Sequence, residues 1–301
     1  MKFGKVENPG EVDFTFPADN PETKRVLSHY RNEAPFEVYV GCAKWNKTDL
    51  KGFYPKGIKD ELTYYSRQFN SIELNATFYK MPDWKQVITW KNKTPEGFKF
   101  FPKVTDLITH YRRLINVQEP VENFCDAVSN FEEKLGMAFM QLHENFHPKD
   151  FERLRGVLEN FPKAIPLTVE VRNEVWFSDP ETLQKFCSLL EEQGMTNTIV
   201  DTAGRRDMLH MRLTSPTAFI RYVGANHPSD KQRLDDWVER IKQWREQGLQ
   251  QLYFFVHQNV ELESPLLAAY FIRRLNNELG LSLHVPQKPG EESESDQMSL
   301  F

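Results

Sequence analysis

Short apolar runs alternate with longer segments of helical period along most of the chain. The runs are Glu37–Val40 leading into Gly41, Ser71–Tyr79, Phe98–Val104, Met137–Leu142, Leu167–Arg172, Asn197–Thr202, Thr217–Gly224 and Gln251–Gln258. Between them apolar residues return every three or four positions. Examples are Leu62, Tyr65 and Phe69, then Val121, Phe124, Val128 and Phe131, then Leu234, Trp237, Val238, Ile241 and Trp244. Glu119–Leu135 reads as one helix closed by Gly136. Ser178–Glu181 and Ser229–Gln232 read as capping boxes, and Ser264-Pro265 starts a last helix that stops at Gly280.

Strands separated by helices imply a parallel sheet. Eight such units in about 250 residues is the size of a closed βα barrel. The predicted fold is therefore an α/β, TIM-like (βα) barrel of eight parallel strands, with a doubly wound open sheet as the alternative. Residues 203–216, between strands six and seven, are too short and irregular to read as a helix. Residues 1–35, punctuated by Pro9, Pro17, Pro21 and Pro35, read as an extended arm with one short helix near Thr23–Tyr30. The barrel takes residues 36–285, and residues 286–301 form an acidic tail in which order is not expected.

Most of the apolar runs close on polar groups: Glu73 and Asn75, Lys103, Gln141, Glu170 and Arg172, Asp201, Arg221, His257. A barrel gathers the C-terminal ends of its strands at one mouth. Carboxylates brought together there have their pKa values pushed apart, which suits acid–base work. Glu73, Glu170 and Asp201 are the catalytic candidates, with His110, in the loop after strand three, as a further acid–base group and His143 as a similar one. Lys103, Arg172 and Arg221 suit a phosphate or carboxylate. Asn75, Gln141 and His257 add hydrogen-bonding groups, and Trp45, Tyr79 and Trp176 lie where they can stack on a sugar or base. The plainer alternatives are charge balance inside the barrel, Glu170 with Arg172 for instance, and aromatic plugs. Chelation of a divalent metal by the acids with His257 stays open, although no HxH or HExxH spacing supports it.

Composition narrows this further. The net charge of −5 argues against a basic nucleic-acid coat, and the last sixteen residues carry −3 of it. Twenty-three phenylalanines point to a well-filled interior. Cys42, Cys125 and Cys187 form no CxxC pair, no run reaches the roughly 20 apolar residues of a membrane helix, and the N-terminus lacks a secretory h-region. Together these lead us to expect a cytoplasmic location. GxGxxG, GxxxxGKS/T and GxSxG are all absent, which removes dinucleotide, P-loop and serine-elbow chemistry.

Val40-Gly41-Cys42-Ala43-Lys44-Trp45, Phe53-Tyr54-Pro55, Glu73-Leu74-Asn75-Ala76-Thr77-Phe78-Tyr79, Lys103, Thr109-His110, Gln141-Leu142, Glu170-Val171-Arg172 and Asp201 follow one another in a familiar order. Over roughly residues 36–280 the chain resembles the YecE-like family, also called domain of unknown function 72. The resemblance implies a TIM-barrel-like fold and supplies no reaction. His257-Gln258-Asn259 stands where that family often has an asparagine pair, so Asn259 is a partial match.

The expected function is an enzyme on an anionic substrate, nucleic acid being one source of it, with hydrolytic or phosphodiester chemistry and Glu73 and Glu170 as acid and base. The rival is a non-catalytic ligand- or nucleic-acid-binding module. The chain ends Gln297-Met298-Ser299-Leu300-Phe301. This resembles the pentapeptide by which bacterial replication and repair proteins dock on the DNA sliding clamp, with Met298 in place of the usual leucine, and it implies that clamp as a partner.

Overall fold

The computed structural model describes residues 4–31 and 35–289. The docking peptide read at Gln297–Phe301 lies outside them. Among the described residues eight strands run parallel: β1 (Glu37–Cys42), β2 (Ser71–Leu74), β3 (Lys99–Pro102), β4 (Ala138–Gln141), β5 (Leu167–Glu170), β6 (Thr196–Asp201), β7 (Thr217–Gly224) and β8 (Gln251–Gln258). Their order is β3-β2-β1-β8-β7-β6-β5-β4. At the seam between β3 and β4 the bridges Phe100 to Leu135 and Lys103 to Phe139 nearly close the ring. Helix α1 (Pro21–Ser28) precedes the barrel. Around it run α2 (Glu61–Gln68), α3 (Ala76–Tyr79), α4 (Trp84–Asn92), α5 (Gln118–Ser129), α6 (Phe151–Glu159), α7 (Val175–Ser178), α8 (Pro180–Gln193), α9 (Ser229–Gln247) and α10 (Ser264–Leu279). Among the described residues no helix is long and apolar enough to cross a membrane.

The phenylalanines account for the barrel's filling. Phe101, Phe139, Phe219, Tyr253 and Phe255 form an aromatic plug, with Phe101 4.7 Å from Tyr253 and 4.9 Å from Phe255 between ring centres. Gly136 makes room for it: a Cβ there would fall 2.5 Å from the Phe101 ring. That packing, and not a helix C-cap, explains this glycine. The helix predicted over Glu119–Leu135 ends at Ser129, because Glu132 turns the chain with φ 51°. Around α8 the cap also moves by one residue, since Asp179 accepts the Glu181 and Thr182 amides at 3.3 and 3.1 Å.

Two departures from the pattern shape the mouth. Strand two stops at Leu74 instead of reaching Tyr79. The Thr77 hydroxyl lies 3.0 Å from the Leu74 carbonyl and 2.7 Å from that of Lys103, so the chain curls into α3 despite its β-favouring residues. The second departure is the missing helix after β6, where residues 203–216 carry only the short turn Arg206–Met208. Helix α1 fills the gap from outside the barrel sequence. Thr23 donates to the Met211 carbonyl at 2.8 Å and accepts the Leu213 amide at 3.0 Å. Arg25 pairs with Glu191 of α8 at 2.5 Å, and Asp19 accepts the Trp244 indole of α9 at 3.1 Å.

Candidate active site

Side chains alternate along a strand, so each strand sends every second residue inward. Glu73, Glu170, Arg221 and His257 share the inward phase just above the aromatic plug, and all four are buried. Arg221 lies between the two acids. Its Nε and Nη2 donate to Glu73 Oε2 and Oε1 at 2.8 and 2.9 Å, and its Nη1 donates to Glu170 Oε2 at 2.7 Å. Asn75 donates to Glu73 Oε1 at 2.8 Å, and His257 Nε2 lies 2.9 Å from Glu73 Oε2. Arg172 donates to Glu170 Oε1 at 2.5 Å.

Burial alone would raise the pKa of both acids. For Glu73 the charges of Arg221 and His257 outweigh it and hold the group well below the usual carboxylate range. For Glu170, Arg172 and Arg221 do the same, down to about 2. His257 moves the other way. Burial disfavours its charged form, but Glu73 and Glu261 flank the ring, Glu261 Oε1 3.7 Å from Nδ1, and the pKa ends above the ordinary histidine value. Both inner acids are therefore anions near neutrality, and neither has a proton to donate.

The other half of the mouth is cationic. Lys103 Nζ donates to Gln141 Oε1 at 2.8 Å and sits 3.9 Å from the centre of the Phe78 ring, which α3 folds over it. Burial first, then repulsion from Arg221 and Arg172, lowers its pKa from 10.5 to about 7. His110 lies edge-on to Phe78 at 4.9 Å and 5.1 Å from the His143 ring. Burial, then Lys103, His143 and Arg172, lowers His110 to about 4; burial and Arg113 lower His143 as well. The bond from Lys103 fixes the Gln141 amide, whose Nε2 is buried with no hydrogen-bond partner among the described residues. An unused donor, two neutral imidazoles and a surplus ammonium make a site short of one anion.

Three predicted residues fall elsewhere. Asp201 does not join Glu73 and Glu170. On β6 it is Thr198 that faces the barrel axis, its hydroxyl 2.9 Å from that of Thr168, so Asp201 three positions on faces outward. It accepts from Arg233 at 2.6 Å and the Trp237 indole at 2.9 Å under α9, and pairs with Arg206. Trp176 is buried outside the barrel, donating to the Phe146 carbonyl at 2.9 Å. Trp45 packs edge-on against Trp90 of α4 at 5.9 Å. Tyr79 stands on the rim, 77% exposed beside Phe78. Burial holds the Cys42 thiol well above its ordinary pKa, which leaves it no nucleophile.

Sequence reasoning missed Phe78, hidden by the strand reading, and Glu261. The four-residue spacing from His257 to Glu261 was the available signal for the latter. Among the described residues no three histidine, cysteine or acidic side chains form a group that could hold a metal ion. A cleft of about 1150 Å³ opens elsewhere, between α9, α10 and residues 284–287, lined by Lys231, Leu266, Tyr270, Arg273 and His284. It contains none of the mouth's titrating groups.

The profile of the family described as "Protein of unknown function DUF72" matches residues 39–292. The chain is 25% identical over 276 residues to "UPF0759 protein YecE" of Escherichia coli K12, covering 83% of this chain and 98% of that one. It is also 25% identical over 243 residues to "UPF0759 protein YunF" of Bacillus subtilis, covering 70% and 85%. Among solved structures, a DUF72 family protein of Enterococcus faecalis V583 superposes with a TM-score of 0.65 at 19% identity, over 83% of this chain and all of the other. That likeness speaks to the fold.

Proposed function

This chain belongs to the DUF72 family, and from that premise we propose that its barrel mouth is the active site of an enzyme acting on an anionic substrate, with Lys103 as the group that exchanges a proton. One observation carries this reading: a buried ammonium that, among the described residues, has a single neutral acceptor, Gln141, and lies beside an amide left unpartnered there and between cations. Hydrolytic or phosphodiester chemistry suits a surface that meets negative charge with Lys103, Gln141 and Arg172. Glu73 and Glu170 then hold Arg221 and Arg172 in place and set the field, where the sequence suggested acid and base.

The test is a panel of inorganic phosphate, sugar phosphates, nucleotides and short DNA and RNA strands, scored by calorimetry and by product formation. Saturable binding of phosphate-bearing compounds is expected, weakened by Gln141→Leu, with turnover of at least one class. No binding across the panel would refute the reading.

The tail adds a partner to the same proposal. A peptide of residues 286–301 is expected to bind the bacterial sliding clamp, and Leu300→Ala with Phe301→Ala to abolish that binding. Absence of binding at high micromolar peptide would remove the clamp from the account.

A further inference from the structure

We propose that Lys103 is an amine nucleophile, forming an imine with the aldehyde or ketone carbon of a phosphorylated sugar bound in the mouth. This rests on the reading of the mouth as an anion site and adds the substrate's second functional group.

Two buried lysines in the same molecule show the contrast. Lys134 spends its ammonium on three oxygens: the carbonyls of Lys91 and Thr94 at 2.9 and 2.7 Å, and the Thr94 hydroxyl at 3.2 Å. It ties α4 to the turn after α5, and its role is structural. Among the described residues Lys103 has one oxygen acceptor, the neutral Gln141 amide, and two aromatic faces, Phe78 at 3.9 Å and Phe139 at 5.8 Å. Among the described residues no carboxylate lies within ion-pair distance of it, although Glu73 and Glu170 sit nearby, because Arg221 and Arg172 already hold them. A lysine needed as a counter-ion would be paired with one of those acids. A lysine kept away from acids, against hydrocarbon and beside two guanidinium groups, is one whose nitrogen lone pair is made available. Its lowered pKa of about 7 agrees with that arrangement.

The chemistry balances without any further reagent. The Nζ lone pair attacks the carbonyl carbon, and the carbonyl oxygen takes up a proton. That proton is the one Lys103 gives up in passing from ammonium to amine. The carbinolamine then loses water, so ammonium and carbonyl give a protonated imine and one water. The phosphate supplies the negative charge that the cationic half lacks, with Arg172 and Gln141 Nε2 as its donors. Beside the mouth, Tyr79 and Tyr111 are each 77% exposed and follow directly on Phe78 and His110. Such rim aromatics would stack on bases if the sugar phosphate is part of a strand.

The experiment is reduction with borohydride in the presence of glyceraldehyde 3-phosphate in one arm and a single-stranded oligonucleotide carrying an abasic site in the other. Peptide mass mapping then locates the adduct. A stable adduct on Lys103 in either arm, lost in Lys103→Met, is expected, and the productive arm names the source of the sugar. Adducts confined to surface lysines and unchanged in Lys103→Met would overturn the imine while phosphate binding persists by calorimetry. Loss of phosphate binding as well would take the anion site with it.

Discussion

Arg221→Met is expected to destabilise the fold by about 3–5 kcal/mol, the usual loss when one partner of a buried ion pair is removed. The substitution keeps most of the side chain's volume, so the cost comes from charge and not from a cavity. It strands two carboxylates that are 0% and 1% exposed and that share three hydrogen bonds with this one guanidinium. His257, Asn75 and Arg172 remain as partners for one oxygen each. A domain of ordinary stability has about 5–15 kcal/mol in hand, so the variant sits close to unfolding at 37 °C. Arg221→Lys restores a charge but not the fork that spans both acids, and should recover less than half of the loss. Urea denaturation of the three proteins settles the order. A loss under 1 kcal/mol for Arg221→Met would mean the acids are not buried anions at all.

Lys103→Met should do the reverse, leaving the fold intact while removing function. Methionine fills the slot between Phe78 and Phe139 without a charge to desolvate. Product formation should fall by about 10²–10⁴-fold, the range for losing a positioned proton-transfer group. Stability supplies a second signature. Below pH about 7 the folded and unfolded chains both carry the Lys103 proton, and the cost of burying the charge is constant. Above it the folded protein has shed the proton while the unfolded chain keeps it up to about 10.4. Unfolding then takes up a proton, so wild-type stability rises with pH across that interval relative to Lys103→Met. The variant is expected to be the more stable of the two at pH 6. Parallel stability curves from pH 6 to pH 10 would contradict the placement of this titration.

The residues that were legible in advance are those whose strands alternate cleanly. Ile72 and Leu74 set the phase that turns Glu73 inward, and Val169 and Val171 do the same for Glu170. All six residues of β6 are buried, and Thr-Asn-Thr-Ile-Val-Asp offers no clean alternation, so the phase that sends Asp201 to α9 could not be read. Trp176 failed for a related reason: a short helix after β5 rotates it into the layer between α6 and α8. The pairing of both acids with one arginine depends on how β2, β5 and β7 face one another across the ring, which is a property of closure and not of any one segment. Lys103 was noticed as a cation, but its neutral acceptor and aromatic cover come from α3, where Thr77 overrides the local strand preference. The helix that replaces the missing one after β6 comes from the far end of the chain, beyond the reach of local periodicity.

NMR titration of the lysine side chains, with Lys103 assigned by its absence in Lys103→Met, tests the cationic mouth most directly. A midpoint near pH 7 is expected, moving upward when inorganic phosphate is added, because a bound anion favours the ammonium form. A Lys103 signal that titrates with the surface lysines near pH 10.4 and ignores phosphate would contradict it.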